Sequence, residues 1–420
     1  MNIQANIPFP YKYLAGEAES LLTRLKQVKP FAMTMPMVKG ASVSNRALKE
    51  ITDLLDKGKL NLYNAVTGFI QKIINTEEKG GNIRKLQGEF TILKLRYNSI
   101  LDQLDIFADV LTQRAEHEVG IWLSGLDVLA EDGLKVCNEF FDVPALMVFL
   151  QRGHGAAIRR ARTRLPGGDE NPVAVIQIPR ERLVGSGIAA SLIHEVGHQA
   201  AESLNLTKLL KIELGKKAGS ATANTKAWRH YERWISEILA DVWAMGHLGI
   251  AATQGLMGVV TLPGYFQFRL DLDDPHPAPY IRVKLSCAFG NALYPDPQWK
   301  NMWEMWRQFY PADDLPEEKK RVIAELEKAE AEFVDMVLRF SPPALKGKSV
   351  AAVMPAAQRQ PSHLRDYLTQ YKKQPDMADS ISPTLLFAMA GQAKYDLTLS
   401  PGDENSWLTQ QLRNWAFKRN

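Results

Sequence analysis

The sequence predicts an α+β protein that is predominantly helical, with one small sheet in its middle third. Three observations predict this class. The first third carries a heptad-spaced apolar stripe, the middle third holds two short runs rich in valine and isoleucine, and the last third is amphipathic at helical spacing. At 420 residues the chain is too long for one small core. We therefore predict three regions, at residues 1–130, 131–310 and 311–420.

The first region is predicted to contain an antiparallel helical hairpin over residues 44–118. Its second helix has the three-and-four spacing of a coiled-coil seam. The segment EEKGGN, residues 77–82, supplies glycines that suit a helix stop and a reversal. The hairpin is either part of a bundle that packs onto its own chain, or a surface for self-association or a protein partner. The seam residues are Leu86, Phe90, Leu93, Tyr97, Ile100, Leu104, Phe107 and Leu111.

The middle region is predicted to hold the sheet. PALMVFLQ, residues 144–151, and PVAVIQI, residues 172–178, are short apolar runs of the kind that form strands. The run over 172–183 is either a strand with which a peptide substrate pairs, or an internal strand of the sheet. Helices are predicted to begin near Ser186 and to run from Asn224 to Leu248.

The last region is predicted to be a helical extension. A helix begins near Pro316, a connector rich in proline, alanine and glutamine covers residues 341–363, and the tail SWLTQQLRNWAFK is amphipathic.

Composition excludes several classes of protein. The net charge of +4 arises from 51 basic and 47 acidic residues without a basic block, so no nucleic-acid partner is expected. Two cysteines, Cys137 and Cys287, are too few for the disulfide framework of a small secreted protein. The amino terminus has no apolar run typical of a signal peptide. The most apolar stretch, Leu248–Phe266, is interrupted by polar residues, proline and glycines, which favours a buried segment over a membrane span. We expect a cytoplasmic protein, with non-classical export left open.

The segment SLIHEVGHQA, residues 191–200, carries the strongest chemical signal. On a helix His194 and His198 lie about 40° apart, where two imidazoles can bind one Zn²⁺. Glu195 lies about 100° round the helix from His194, within reach of a metal-bound water as a general base. Gly197 leaves the helix surface bare and would admit close backbone contact.

A catalytic zinc needs a third protein ligand and one open position. The helical segment HYERWISEILADVWAMG offers Glu237 as that ligand. Asp241, one turn later, could accept the second ring N–H of a ligand histidine. Glu202, one turn beyond His198 on the same helix, is the rival ligand.

Three elements together resemble a known group of enzymes. HEVGH followed by EILAD resembles the HExxH…ExxAD pair of gluzincin metallopeptidases. HPAPYIR, residues 276–282, is similar to the HPxxxxR element of the HtpX and CAAX prenyl endopeptidase family. The resemblance spans about 130 residues and implies a zincin-like metallopeptidase core. That family is usually embedded in the membrane and has an Asn-Ala-Phe edge-strand element, and neither feature is recognisable in this chain.

The resemblance implies a role for each matched residue. These roles are zinc ligand for His194, His198 and Glu237, general base for Glu195, supporting acid for Asp241, and a place near the developing oxyanion for His276 and Arg282.

Four residues have an alternative interpretation from their chemistry alone. His276 and Arg282 could stabilise an oxyanion, or they could form a turn and a structural ion pair. Tyr280 could donate to the same oxyanion, or it could be an ordinary half-buried tyrosine. His230 lies two turns before Glu237 and could line the cleft, or it could be a structural histidine.

The predicted function is that of a zinc-dependent metalloendopeptidase acting on a peptide or protein. Zinc would activate a water, and Glu195 would take the proton of that water and pass it to the leaving amine. One alternative is a helical interaction or scaffold protein with a structural or vestigial metal site, which a fourth protein ligand would close. A further alternative is a delivered effector or toxin protease.

Overall fold

The computed structural model describes residues 8–78, 82–151, 155–180, 185–220, 224–374 and 380–419. Within these ranges the protein is predominantly helical and has a three-stranded sheet, which confirms this part of the predicted fold class. The chain forms two compact units. The first is formed by Met1–Ile121 and Ala161–Val173, and the second by Trp122–Arg160 and Ala174–Arg419. The second unit therefore combines the predicted metal-site helices with the C-terminal extension.

The first unit is helical. Its elements are α1 (Phe9–Gln27), α2 (Phe31–Thr34), a 3-10 turn (Lys39–Ala41), α3 (Asn45–Glu78), α4 (Ile83–Thr112), a 3-10 turn (Gln113–Ala115) and the start of α5 (His117–Leu134), which contains the boundary between the units.

Helices α3 and α4 pack antiparallel, as the heptad pattern predicts. Lys72 pairs with Glu89 at 2.6 Å, whereas Gly58, earlier in α3, faces Ile100, later in α4. All eight seam residues are buried, and the first five share one core with apolar residues of α1 and α3. The chain's own helices fill the seam, which supports the bundle interpretation. The reversal expected within residues 77–82 lies mostly outside the described residues.

The sheet of the second unit consists of β1 (Leu146–Gln151), β2 (Ala157–Arg159) and β3 (Ala174–Pro179). The strand order is β1-β3-β2, with β3 parallel to β1 and antiparallel to β2. The two predicted strands are confirmed. Because β3 is central and paired on both sides, the hypothesis that it pairs with a substrate is wrong, and the outer strand of the described sheet near the site is β2. Strand β2 has only three residues, too few for a periodic signal.

The remaining described elements of the second unit are helical. They are a 3-10 turn (Lys135–Glu139), α6 (Gly187–Ser203), α7 (Leu206–Gly219), α8 (Thr225–Leu248), α9 (Ile250–Val260), α10 (Gly264–Gln267), α11 (Pro279–Leu293), α12 (Gln298–Phe309), α13 (Glu317–Arg339), a 3-10 turn (Pro343–Leu345), α14 (Val350–Val353), a 3-10 turn (Ala356–Arg359), α15 (Pro361–Lys373), α16 (Pro383–Tyr395) and α17 (Pro401–Arg419).

Helices α6 and α8 approach closely at Gly197. A Cβ atom there would lie 2.8 Å from Cβ of Trp243 and 2.9 Å from Cα of Ala240, so only glycine fits without displacement. This is the close backbone contact that the bare helix surface predicted. The contact brings the histidine-bearing face of α6 against the helix that carries Glu237.

The connector predicted over residues 341–363 is packed rather than extended. It contains two 3-10 turns, α14 and the start of α15. Arg359 is buried and donates from Nε to the carbonyl of His247 at 2.6 Å, and from Nη2 to Oγ1 of Thr384 at 2.9 Å. These bonds tie the connector to α8 and α16.

The apolar stretch Leu248–Phe266 contains all of α9 and most of the short α10. Most residues of α9 are buried, as predicted. Across the described residues, no helix combines the length and the apolar character that a membrane crossing requires.

Candidate metal centre

Helices α6 and α8 bring three potential metal ligands together. His194 and His198 lie one turn apart on α6, with ring centroids separated by 4.8 Å. Glu237 on α8 faces both rings, with Oε2 3.4 Å from Nε2 of His194 and Oε1 3.4 Å from Nε2 of His198. One ligand atom from each residue lies within 4.8 Å of the others.

This donor set fits a zinc ion. Zinc bonds of about 2.0–2.1 Å at tetrahedral angles place two ligand atoms about 3.3–3.4 Å apart. The two nitrogen–oxygen distances of 3.4 Å match that separation. Two imidazoles and one carboxylate form the ligand set of catalytic zinc sites. Within the part of the chain that the structure describes, no other histidine, cysteine or acid joins this group.

Asp241 orients the first of these histidines. Its Oδ1 lies 2.8 Å from Nδ1 of His194. An ionised carboxylate only accepts, so Nδ1–H donates and Nε2 is left facing Glu237. Arg282 on α11 donates from Nε to Oδ2 of Asp241 at 2.6 Å and from Nη2 to Oδ1 at 2.9 Å. Asp241 therefore bridges a ligand histidine and a guanidinium.

The electrostatics of this cluster favour a cation. Burial would raise the pKa of Glu237, but the hydrogen bond and charge of His194 lower it to about 2. Burial opposes charge on His194, yet Asp241 and Glu237 raise the pKa of this imidazole to about 9. Burial, together with the charge of His194, lowers the pKa of His198 to about 4. The ionised carboxylates of Glu237 and Asp241 therefore stabilise positive charge beside His194, where the three candidate ligands meet.

Glu195 lines the cavity onto which His194, His198 and Glu237 open. It is only 6% exposed, and this burial raises the pKa of its carboxyl group to about 7. A carboxyl group with a pKa near neutrality can both accept and return a proton. The geometry is compatible with the base predicted from the sequence.

His276 approaches the site from the segment that precedes α11. Its Nε2 lies 3.7 Å from Oε2 of Glu237, and its side chain is more than half exposed. The backbone N–H and Nδ1 of His276 both contact Oδ1 of Asp274, at 3.0 and 2.9 Å. Asp274 also pairs with Arg269. Asp274 was not among the predicted residues, and its position two residues before the HPxxxxR element is the signal that could have found it.

Arg282 also reaches the cavity, but its geometry is that of an ion pair. Its side chain is 11% exposed, and two of its nitrogens bind Asp241. Nη2 lies 3.8 Å from Oε2 of Glu237. These contacts match the ion-pair alternative of the sequence interpretation, with the guanidinium remaining in the cavity wall.

Three other candidates lie away from the cluster. Tyr280 is buried, packs against Phe268 and Trp303 and does not line the cavity. His230 is buried and contacts the carbonyl of Lys226 through Nδ1, and it does not line the cavity at the candidate ligands. Glu202, the rival ligand, pairs with Arg160 at 2.8 Å, and more than half of its side chain is exposed.

A cavity of about 480 Å³ opens at the candidate ligands. Besides the polar cluster, it is lined by residues of β2 and by one face of α9, which sequence analysis treated only as core. The small and branched apolar residues of α9 do not indicate from sequence that one face of this helix lines a cavity. The lining residues outside the predicted set are Gly155, Ala156, Ala157, Ile158, Arg160, Ala190, Ser191, Ser236, Ala244, Ala252, Leu256, Val259 and Ser286.

Comparison with models of protein families, with curated proteins and with solved structures finds no match for this chain. The arguments for its function therefore rest on its own residues and their geometry.

Proposed function

We propose that this protein is a zinc-dependent metalloendopeptidase. The observation that carries the proposal is the convergence of His194, His198 and Glu237 within 4.8 Å, with Glu195 in the wall of the same cavity. The order of the HExxH, ExxAD and HPxxxxR elements supports a distant relation to gluzincin peptidases.

The residues of the chain divide the work of hydrolysis. When bound, Zn²⁺ supplies a Lewis acid that polarises the scissile carbonyl and lowers the pKa of water. Glu195, in the wall of the same cavity, takes the proton of the attacking water and returns it to the leaving amine. His276 presents Nε2 beside Glu237, and when both of its ring nitrogens carry a proton this nitrogen can donate to the developing oxyanion. Asp241 holds His194 in the tautomer that leaves Nε2 for the metal.

A polypeptide substrate suits the shape of the cavity. Strand β2 is an outer strand of the described sheet, and Ala157 and Ile158 line the cavity. An extended peptide can add to such a strand through main-chain hydrogen bonds. Ala252, Leu256 and Val259 of α9, which also line the cavity, offer apolar surface for one of its side chains.

The test compares Glu195→Gln with Glu202→Gln, the same substitution about two turns further along α6, at an exposed side chain. Zinc content and cleavage of unfolded casein and of a peptide library are measured for both variants and the wild type. We expect about one zinc per chain in all three, and cleavage that a chelator abolishes. Glu195→Gln should lose about 10²–10⁴-fold in rate, whereas Glu202→Gln should retain activity. Unchanged cleavage by Glu195→Gln would contradict the mechanism.

The scaffold alternative makes a different prediction about coordination. His276 has the next nitrogen near the group, 3.7 Å from Glu237, and would close the site if it bound the metal. X-ray absorption of the zinc-loaded chain distinguishes the two. Two imidazoles, one carboxylate and one water support the peptidase, and three imidazoles with the carboxylate support a structural site.

A further inference from the structure

We infer that a second cavity of the same unit, the basic groove, binds an acidic peptide segment. The basic groove has a volume of about 560 Å³ and shares no lining residue with the catalytic cavity. It lies between α8, α13 and the segment between α10 and α11. Its lining residues are Lys226, Arg229, His230, Arg269, Leu270, Asp271, Leu272, Glu318, Lys319 and Val322.

The charge of the groove selects an anion. Four cations line it against two acids, Asp271 and Glu318. Lys226 and Arg229 are exposed, and neither forms an ion pair with another residue that the structure describes. Two cations whose charge is not neutralised locally attract carboxylates from solution.

A buried polar ring also faces the groove. His230 is 5% exposed, and its Nδ1 donates to the carbonyl of Lys226 at 2.8 Å. Since Nδ1–H donates to that carbonyl, the neutral ring leaves Nε2 as an acceptor for a peptide N–H, and within the described residues Nε2 has no hydrogen-bond partner. A polar atom held in this way at the base of a cationic groove is typical of a binding site.

The rest of the lining points to a peptide rather than a free ion. Leu270, Leu272 and Val322 give the groove an apolar wall, which an inorganic anion would not contact. The wall is held in place because Arg233 donates from Nε to the carbonyl of Leu272 at 2.8 Å. Lys319 likewise donates to the carbonyl of Phe268 at 3.0 Å.

The groove is linked to the catalytic cavity by a chain of side chains. Arg269 lines the groove and pairs with Asp274. Asp274 in turn accepts from the ring and the backbone of His276. A peptide carboxylate that binds Arg269 competes with Asp274 for the guanidinium. A ligand in the groove therefore weakens the ion pair of Asp274, the residue that accepts from the ring and backbone of His276.

The experiment measures binding rather than catalysis, so it is independent of the proposed function. The full-length chain carries Glu195→Gln to prevent cleavage. Fluorescence anisotropy follows a labelled peptide of alternating Glu and Leu, with an alternating Gln and Leu peptide for comparison. Lys226→Glu/Arg229→Glu is compared with Lys372→Glu/Lys373→Glu, which changes the net charge equally at two exposed lysines of α15.

We expect the Glu–Leu peptide to bind more tightly than the Gln–Leu peptide. The groove variant should weaken its binding about tenfold or more, and the α15 variant should leave it nearly unchanged. Equal binding of the two peptides, or equal weakening by the two variants, overturns the inference. Displacement of the Glu–Leu peptide by inorganic phosphate, at a phosphate charge equal to that of the peptide's carboxylates, also overturns the inference, because the groove would then bind a free oxyanion.

Discussion

Arg282 holds both carboxylate oxygens of Asp241, with Nε 2.6 Å from Oδ2 and Nη2 2.9 Å from Oδ1. The same Oδ1 accepts from Nδ1 of His194 at 2.8 Å. Arg282 of the HPxxxxR element and Asp241 of the ExxAD element therefore form one ion pair, which holds the ring of His194 from the HExxH element. This contact gives a physical reason for the three elements to occur together.

Asp241→Asn should weaken zinc binding about 10–100-fold. The amide can present its N–H to His194, which favours the tautomer that places the proton on Nε2. Competition with a chromophoric chelator measures the affinity. Asp271→Asn, at an exposed position outside the cavity, is the control and should bind zinc like the wild type. Equal affinity of Asp241→Asn and wild type would show that Asp241 does not set the tautomer.

Arg282→Gln should destabilise the metal-free chain by about 3 kcal/mol, because it leaves Asp241, whose side chain is only 15% exposed, without the guanidinium that binds both its oxygens. Arg282→Gln/Asp241→Asn should recover part of this loss, since the stranded charge is removed with the guanidinium. Urea unfolding of the two single variants and the double variant measures the coupling. Strictly additive changes would contradict a direct pair.

The sequence predicted the site better than its surroundings. The face shared by His194 and His198 follows from helical spacing, whereas Glu237 and Asp241 were chosen because EILAD resembles the ExxAD element of gluzincins. What spacing cannot reveal is which distant segments meet. Strand β2 is too short to leave a period, and α9 carries the same apolar residues whether one face meets a cavity or the core. For Tyr280 and His230 the sequence left a cleft role and a structural role open, because position along the chain does not report the rotation of α8 or α11 about its axis.

His247 should make stability depend on pH between about 6.5 and 4. It is 3% exposed, and burial lowers the pKa of its imidazole to about 4. The unfolded chain takes up this proton as the pH falls through 6.5, whereas the folded chain does so only near 4. The contribution is therefore complete above pH 6.5 and is lost on acidification, by up to about 3 kcal/mol.

His247→Gln tests this assignment, because an amide can still donate to the carbonyl of Trp243 that Nδ1 of His247 contacts. Urea unfolding at several values of pH in the presence of a chelator gives the two stability curves. The curve of the variant should be flatter in this window, while other titrating groups contribute equally to both. Parallel curves would mean that another group carries the pH dependence.

Gly197→Ala should destabilise the chain by about 1–3 kcal/mol, since its Cβ would lie 2.9 Å from Cα of Ala240. The separation of α6 and α8 would also move His198 away from Glu237, so zinc affinity should fall with stability. Gly258→Ala is the matched control, at an exposed helical position where a Cβ meets nothing within 4 Å. The control should gain about 0.5–1 kcal/mol from helix propensity. Loss of stability in both variants alike would contradict a packing effect specific to Gly197.

Ala252→Phe should change which peptides are cleaved more than how fast the best one is cleaved. Ala252 lies in the wall of the 480 Å³ cavity, so a phenyl ring would occupy volume that a substrate side chain uses. Ala252 lies on α9 and is not one of the candidate ligands, so zinc content should stay as in the wild type. Cleavage of peptides with a bulky apolar residue beside the scissile bond should fall, whereas cleavage of peptides with alanine or glycine there should persist.

Val259→Ala provides the opposite change in the same wall, since it removes two methyl groups from the cavity lining. It should shift the preference towards larger side chains. The comparison uses kcat/KM over a peptide series that differs in one position, because that ratio reports discrimination at the transition state. Opposite shifts in the two variants require a substrate side chain to contact α9. A uniform loss across the series in both variants would instead mean that α9 supports the fold of the site and does not touch the substrate.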